Sequence, residues 1–203
     1  MGRFIRLALF CLPGLISTLG HAQSNYAEFK GALEWIPRLS LTDENTNTTR
    51  LNTTDPAWHG TATFGWPVNE MLSLETDVSI GRRNWNQKDG DTAPASTEEA
   101  SYAAAMVNAM LTPRLSDELV IGLGIGGGFL FSDFNRDLIP AAEENQLLMP
   151  GYQLKAKLIF EADSTKNYIF EAGYQSGLYV NYSSDDSGSY GHAWTAIGVG
   201  YKF

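Results

Sequence analysis

Cysteine is nearly absent from this 203-residue chain, since Cys11 is the only one. It lies in an apolar N-terminal segment and follows Leu9 and Phe10. A cysteine that carries a lipid anchor follows small residues instead, so we interpret Cys11 as an ordinary residue of that segment. The remainder of the chain can form no disulfide and offers no thiol chemistry.

Long apolar runs are missing as well. Beyond the N-terminal segment, no stretch approaches the roughly 20 continuous apolar residues that a membrane-spanning helix requires. Any crossing of a membrane would therefore need a closed β-barrel, which satisfies every backbone group without water. Basic residues are scarce too, with 14 Lys and Arg against 23 Asp and Glu and a net charge of −9. This balance argues against a nucleic-acid partner, because phosphate binding needs a basic surface.

The N-terminal segment has the three parts of a secretory signal peptide. Arg3 and Arg6 supply the positive charge, residues 7–16 form a short apolar core, and small residues precede the expected cleavage point after Ala22. We therefore predict a signal peptide over residues 1–22 and one domain over residues 23–203.

The last stretch of the chain alternates between two kinds of side chain. One parity is largely apolar and ends on an aromatic residue: Thr195, Ile197, Val199, Tyr201 and Phe203. The other is mostly small or polar: Trp194, Ala196, Gly198, Gly200 and Lys202. This period predicts a β-strand whose faces meet different environments. The pattern resembles the C-terminal signal of bacterial outer-membrane β-barrels. The resemblance implies that assembly machinery recognises Ile197, Val199, Tyr201 and Phe203.

The same alternation recurs along the rest of the chain. It predicts eight strands near residues 26–41, 58–66, 71–83, 101–111, 119–131, 152–161, 168–178 and 193–203. Short turns and long polar loops alternate between them, which is typical of outer-membrane barrels. The fold class is therefore all-β, an eight-stranded antiparallel up-and-down transmembrane β-barrel. Pro37 predicts either a bulge or an early fraying of the hydrogen-bonded ladder in the first strand.

In size and pattern the chain resembles small barrels of the OmpA-transmembrane-domain and OmpX type. That resemblance implies a location in the bacterial outer membrane with both termini in the periplasm. It also implies a monomer surrounded by outer-membrane lipid and lipopolysaccharide, inserted by the barrel-assembly machinery through the last strand.

Charged residues of the predicted strands fall mainly on the inward parity, facing the lumen (the interior of the barrel). Six are acidic and six are basic: Glu28, Glu34, Glu75, Asp77, Glu161, Glu171, Lys30, Arg38, Arg83, Lys155, Lys157 and Lys202. An eight-stranded barrel is just wide enough for side chains to fill it, so these charges must pair. A balanced lumen argues against an ion-selective channel. The inward glycines of the fifth strand are expected to make room for long side chains such as Arg38 and Lys155.

Two histidines are the candidates for catalysis or metal binding in the lumen. His59 and His192 have the inward parity near the outer ends of their strands, and Ser40 of the first strand is expected at the same level. A Ser/His hydrolase site or a metal pair is conceivable there. The seventh strand, however, lacks the local His-x-Ser signature of the outer-membrane lipid A deacylases. We interpret the three as polar lumen residues, and assign no catalytic residue, metal ion or cofactor.

Two further motifs have ordinary explanations. Residues 122–127 match the glycine pattern of dinucleotide-binding sites, but that site needs a following helix and the alternation here continues to Phe131. Acidic pairs in the long loops, such as Glu143 and Glu144, could hold divalent cations that bridge to lipopolysaccharide. Their spacing matches no calcium loop, so a solvated acidic surface is the favoured interpretation.

These observations predict a plugged barrel with acidic external loops and a structural or surface-interaction role. Two alternatives remain open at this stage. One is an enzyme that modifies lipid A, and the other is a narrow channel for small solutes.

Overall fold

The computed structural model describes residues 24–42, 48–52, 57–87, 97–133, 146–180 and 187–203. Nine strands occur in these ranges: β1 (Tyr26–Thr42), β2 (Thr48–Asn52), β3 (Ala57–Pro67), β4 (Leu72–Gln87), β5 (Thr97–Leu111), β6 (Leu119–Asp133), β7 (Gln146–Glu161), β8 (Lys166–Val180) and β9 (Ser187–Lys202). None of the described residues belongs to a helix long and apolar enough to cross a membrane. The predicted signal peptide lies outside the described residues.

The strands close into a barrel. Each main strand pairs antiparallel with its neighbour in sequence, and β9 returns to pair with β1 from Tyr26↔Lys202 to Thr42↔Ser187. β2 and β3 both lie between β1 and β4, so they are two segments of one barrel strand. The described chain is therefore an eight-stranded antiparallel barrel, and the predicted fold class is confirmed.

The strands extend further toward the long loops than the sequence predicted. β2 lies inside the segment expected to be the first loop, β4 continues to Gln87, and β5 already begins at Thr97. These extensions are rich in Asn, Thr and charged residues and lack the apolar parity on which the prediction depended. Backbone pairing continues without that parity, because the hydrogen-bonded ladder needs no apolar face.

Pro37 interrupts the pairing of β1 as expected. The register of β1 against β9 shifts between Trp35 and Arg38, which marks a bulge or irregularity at this point. Proline cannot donate a ladder hydrogen bond, so a bulge is one of the few places in a strand that accepts it.

Side chains alternate between the two sides of the wall. Outward residues such as Ile125 (62% exposed) and Ile197 (68%) form an apolar belt around the barrel, whereas the inward Lys157 is only 1% exposed. The alanine-rich β5 obeys the same rule despite its helical propensity, because Ala104, Met106 and Met110 are buried and Val107 is exposed. An exposed apolar surface of this extent fits a lipid environment.

The turn between β7 and β8 is held by Asp163. Its carboxylate accepts hydrogen bonds from the Thr165 hydroxyl, the Thr165 backbone N–H and the Lys166 backbone N–H, at 2.7–2.8 Å. These donors, with the Thr165 hydroxyl first, hold the pKa of Asp163 below its ordinary value. Four residues of turn are thereby enough to reverse the chain.

The glycines of β6 make room mainly for side chains from adjacent strands. A Cβ added to Gly124 would meet the Met110 sulfur, and one added to Gly122 would lie 3.2 Å from Met110 Cε and 3.3 Å from Lys157 Cβ. Lys155 also borders Gly124, from the neighbouring strand β7. The glycines were expected to make room for Arg38 as well, but the side chain of Arg38 lies outside those described. The space thus serves a methionine that the sequence analysis had not considered.

Gly128 and Gly127 provide a matched pair for testing this packing. A Cβ on Gly128 would collide with the Ala105 carbonyl and lie 2.9 Å from the Met106 Cα, whereas one on Gly127 has its nearest neighbour at 3.6 Å. We expect Gly128→Ala to lower the free energy of unfolding by about 1–3 kcal/mol, the usual cost of overpacking. Gly127→Ala should change it little. Equal effects in urea titrations of the two lipid-embedded variants would contradict this account of the glycines.

Candidate functional site: the filled lumen

Three lysines and four carboxylates form an ion network in the middle of the lumen. Its members come from β1, β4, β7 and β8: Glu28, Lys30, Glu75, Asp77, Lys155, Lys157 and Glu171. Their side chains are only 0–3% exposed. The four strands place them there because each contributes its inward parity at nearly the same depth.

Lys155 is the cation of one half of this network. Its Nζ lies 2.6 Å from both Glu75 Oε2 and Asp77 Oδ2. Asp77 also accepts hydrogen bonds from Thr63 Oγ1 (2.5 Å), Asn108 Nδ2 (2.9 Å) and Gln153 Nε2 (2.7 Å). Four donors therefore surround one buried carboxylate, which compensates for the water it has lost.

Lys157 and Lys30 bind the remaining carboxylates. Lys157 Nζ lies 2.6 Å from Glu28 and 2.7 Å from Glu75 Oε1, and Lys30 Nζ lies 2.7 Å from Glu171. Lys30 also reaches Glu28 at 3.2 Å. Each lysine thus bridges two acids, and the network crosses the lumen from β1 to β7.

Other charged residues that the sequence assigned to the lumen have different surroundings. Glu161 pairs with Lys202 at 2.5 Å and with Arg114 at 2.8 Å at the turn end of the barrel, where the Arg114 side chain is 49% exposed. The side chains of Arg38 and Arg83 lie outside the described residues, although their backbones belong to β1 and β4. Glu34 belongs to a separate group.

Glu34, His59 and His192 make up this second group, here called the histidine cluster. His59 Nδ1 lies 2.8 Å from Glu34 Oε1, and His192 Nε2 lies 4.0 Å from the same oxygen. All three residues are buried. The strands β3, β1 and β9 that carry them are direct neighbours in the sheet, so the backbone ladder fixes their separation.

Aromatic rings close the lumen around the histidine cluster. Tyr102 and Trp194 lie 5.5 and 5.4 Å from the His192 ring, and the Tyr190 hydroxyl lies 2.6 Å from His192 Nδ1. The Trp194 indole donates to Glu171 at 3.3 Å, which joins this aromatic layer to the ion network. Tyr102 of β5 donates to Gln175 of β8. The buried apolar side chains of Met106, Leu130 and Met149 also point inward.

Ser40 does not lie at the level of the histidines, so that expectation was wrong. In the backbone register Ser40 is opposite Ser189, three residues or about 10 Å along β9 from His192. His59 is opposite Ala32, eight residues from Ser40 along β1. The residue of β1 that meets the histidines is Glu34, because the tilt and register of the strands decide which depths coincide.

Several lumen residues were missed by the sequence analysis. Tyr26, Asn108, Tyr102 and Tyr190 all bind a predicted lumen residue or a neighbouring amide. Parity alone could have found all four residues, since Tyr26 also shares its parity with the inward Glu28. Tyr190 shares its parity with His192 and Trp194, and Tyr102 shares its parity with Asn108.

Comparison with solved structures identifies the fold. The outer membrane protein OprG from Pseudomonas aeruginosa matches with a TM-score of 0.62 at 10% identity, covering 91% of this chain and 98% of that chain. The outer membrane protein AlkL matches with a TM-score of 0.57 at 13% identity, covering 92% and 93%. Neisserial surface protein A matches with a TM-score of 0.55 at 11% identity, covering 90% and 100%. This chain has the fold of a small outer-membrane β-barrel.

The sequence comparisons, by contrast, found no match. No protein-family model and no curated protein matches this chain. Identities of 10–13% to the solved barrels show the fold alone. The apolar belt of outward side chains fits this fold, because a transmembrane barrel presents an apolar band to lipid.

Proposed function

We propose that the barrel is a plugged, non-conducting outer-membrane protein with a structural or surface-interaction role. The observation that carries this proposal is that buried, paired side chains fill the lumen. The ion network has side chains 0–3% exposed, each lysine is bound to at least two carboxylates, and the aromatic layer lies directly beside it. In the part of the barrel that the structure describes, these packed side chains would leave water and ions no continuous path.

The contact region of this proposal is the set of long loops. Their sequences carry more acidic than basic residues, for example Asp89 and Asp91 in the second loop and Asp185 and Asp186 in the fourth. Short turns occur at the other end, as between Pro67 and Leu72. In barrels of this kind the short turns are periplasmic and the long loops external, which would put both termini in the periplasm. Lipopolysaccharide and divalent cations are the first partners that these loops would meet.

Assembly would depend on the last strand. Ile197, Tyr201 and Phe203 are 68%, 45% and 71% exposed on the outward side of β9, and Val199 has the same parity. β9 also forms the closing seam with β1. Assembly machinery that recognises this outward face would bind it before β9 pairs with β1.

Lipid A mass spectrometry tests the non-enzymatic role. Cells with and without the protein are expected to give the same lipid A spectrum, because the proposal assigns no chemistry to His59 or His192. His59→Ala should leave that spectrum unchanged as well. A gained or lost acyl chain that requires the protein and disappears in His59→Ala or His192→Ala would overturn the proposal in favour of a lipid A-modifying enzyme.

A further inference from the structure

We propose that Glu34, His59 and His192 form a binding site for a divalent transition metal of the zinc class. The donor atoms of the three side chains all lie within 4.8 Å of one another, and all three residues are buried. They come from three adjacent strands, β1, β3 and β9. A metal held there would link both sides of the seam at which the barrel closes.

The donor set matches the chemistry of this metal class. Two imidazole nitrogens and one carboxylate are a common protein ligand set for Zn²⁺, leaving a fourth position for water or another group. Tetrahedral Zn²⁺ with bonds of 2.0–2.1 Å places its donors about 3.3 Å apart. The Glu34–His59 distance of 2.8 Å and the Glu34–His192 distance of 4.0 Å fall on either side of this value. Since all donor atoms lie within 4.8 Å of one another, changes of at most about 1.5 Å in their separations would satisfy the geometry.

Tyr190 supplies the support that a ligating histidine usually has. Its hydroxyl lies 2.6 Å from His192 Nδ1, and the other ring nitrogen of His192, Nε2, is directed toward Glu34. Histidine ligands are commonly oriented by a hydrogen bond to the second ring nitrogen, which also fixes the tautomer. Tyr190 itself is 1% exposed, so its hydroxyl is positioned by the packing of the lumen.

The surrounding rings would strengthen metal binding. Trp194 lies 5.9 Å from His59 and 5.4 Å from His192 between ring centroids, and Tyr102 lies 6.1 and 5.5 Å from them. They exclude water, so the attraction between a divalent cation and Glu34 would be screened little. This proposal departs from the sequence-based expectation of no metal, because nothing in the sequence placed Glu34 beside the histidines.

Calorimetric titration with Zn²⁺ tests the site directly. The untagged full chain is refolded into detergent micelles, and one high-affinity Zn²⁺ per barrel is expected. Glu34→Gln and His192→Gln should lower the affinity by more than about 100-fold, and Tyr190→Phe by about 10–100-fold, as for other residues that orient metal ligands. Glu118→Gln is the matched control, because it makes the same change at an exposed carboxylate in a turn, and it should leave the affinity unchanged.

Two readouts separate loss of the site from loss of the fold. Each variant is first checked for folding by gel electrophoresis, in which an unheated folded barrel and a boiled sample migrate differently. X-ray absorption at the zinc edge of the wild-type protein is then expected to show two nitrogen ligands. All-oxygen coordination, no tight binding by the wild type, or an affinity in Glu34→Gln and His192→Gln equal to that of the wild type would overturn the proposal. Those results would assign any bound zinc to the acidic loops.

Discussion

Replacing Lys155 with methionine is expected to lower the free energy of unfolding by about 3–5 kcal/mol, the usual cost of removing one partner of a buried ion pair. Lys155 Nζ is 2.6 Å from both Glu75 and Asp77, and its side chain is 0% exposed. Methionine keeps much of the volume but leaves Asp77 with only neutral donors. Glu75 and Asp77, on the same side of β4, would then lie close together with a single lysine, Lys157, bound to Glu75.

Urea titration of the barrel in lipid vesicles measures this effect, under conditions where unfolding and refolding curves coincide. Lys166→Met is the matched control, because Lys166 begins β8 at the turn end and its Nζ lies over the face of Tyr168, 5.1 Å from the ring centroid. We expect its effect to be below about 1 kcal/mol. The double change of Asp77→Asn with Lys155→Met should recover part of the loss. A Lys155→Met barrel as stable as the control would show that the ion network does not hold the lumen together.

Placing arginine at Ile125 is expected to cost about 2–4 kcal/mol, because a charge at the middle of the lipid-facing wall must leave water. Ile125 is 62% exposed, lies near the centre of β6 and is flanked by Leu154 of β7 and Ala109 of β5. Its surroundings are therefore apolar on the wall as well as in the membrane.

Leu115→Arg is the control for this substitution. Leu115 is 60% exposed, close to the value for Ile125, but it lies in the turn before β6. The same residue change there should leave stability nearly unaltered, since the arginine remains in water. If both variants lost equal stability in vesicles, exposure alone would explain the effect and the lipid-facing belt would be refuted.

The wall of the barrel could be predicted from the sequence because a strand with lipid outside and a filled lumen inside needs apolar residues at every second position. The parity of Leu123, Ile125 and Phe129 was sufficient to place them outward, and all three are exposed. Closure of the barrel also decided the conformation of the alanine-rich β5 against its helical propensity. A missing strand would have left two edges unpaired in lipid.

The ends of the strands and the meeting points inside the lumen could not be predicted in this way. Beyond the apolar belt both faces of a strand are polar, so parity ends at Arg83 while pairing continues to Gln87. Inside, parity says that Glu34 and His59 point inward but not that they share a depth. That depth depends on strand tilt and on the register shift at Pro37, which are properties of the closed barrel.

Single-channel recording in planar lipid bilayers tests the central claim most directly, namely that paired ions and aromatic rings fill the lumen. The purified barrel is expected to give no stable current steps in concentrated salt. A general porin, recorded in a separate bilayer, is the positive control. Reproducible ohmic steps that scale with salt concentration would contradict the account, because they would require a continuous water path past Lys155, Lys157 and Trp194.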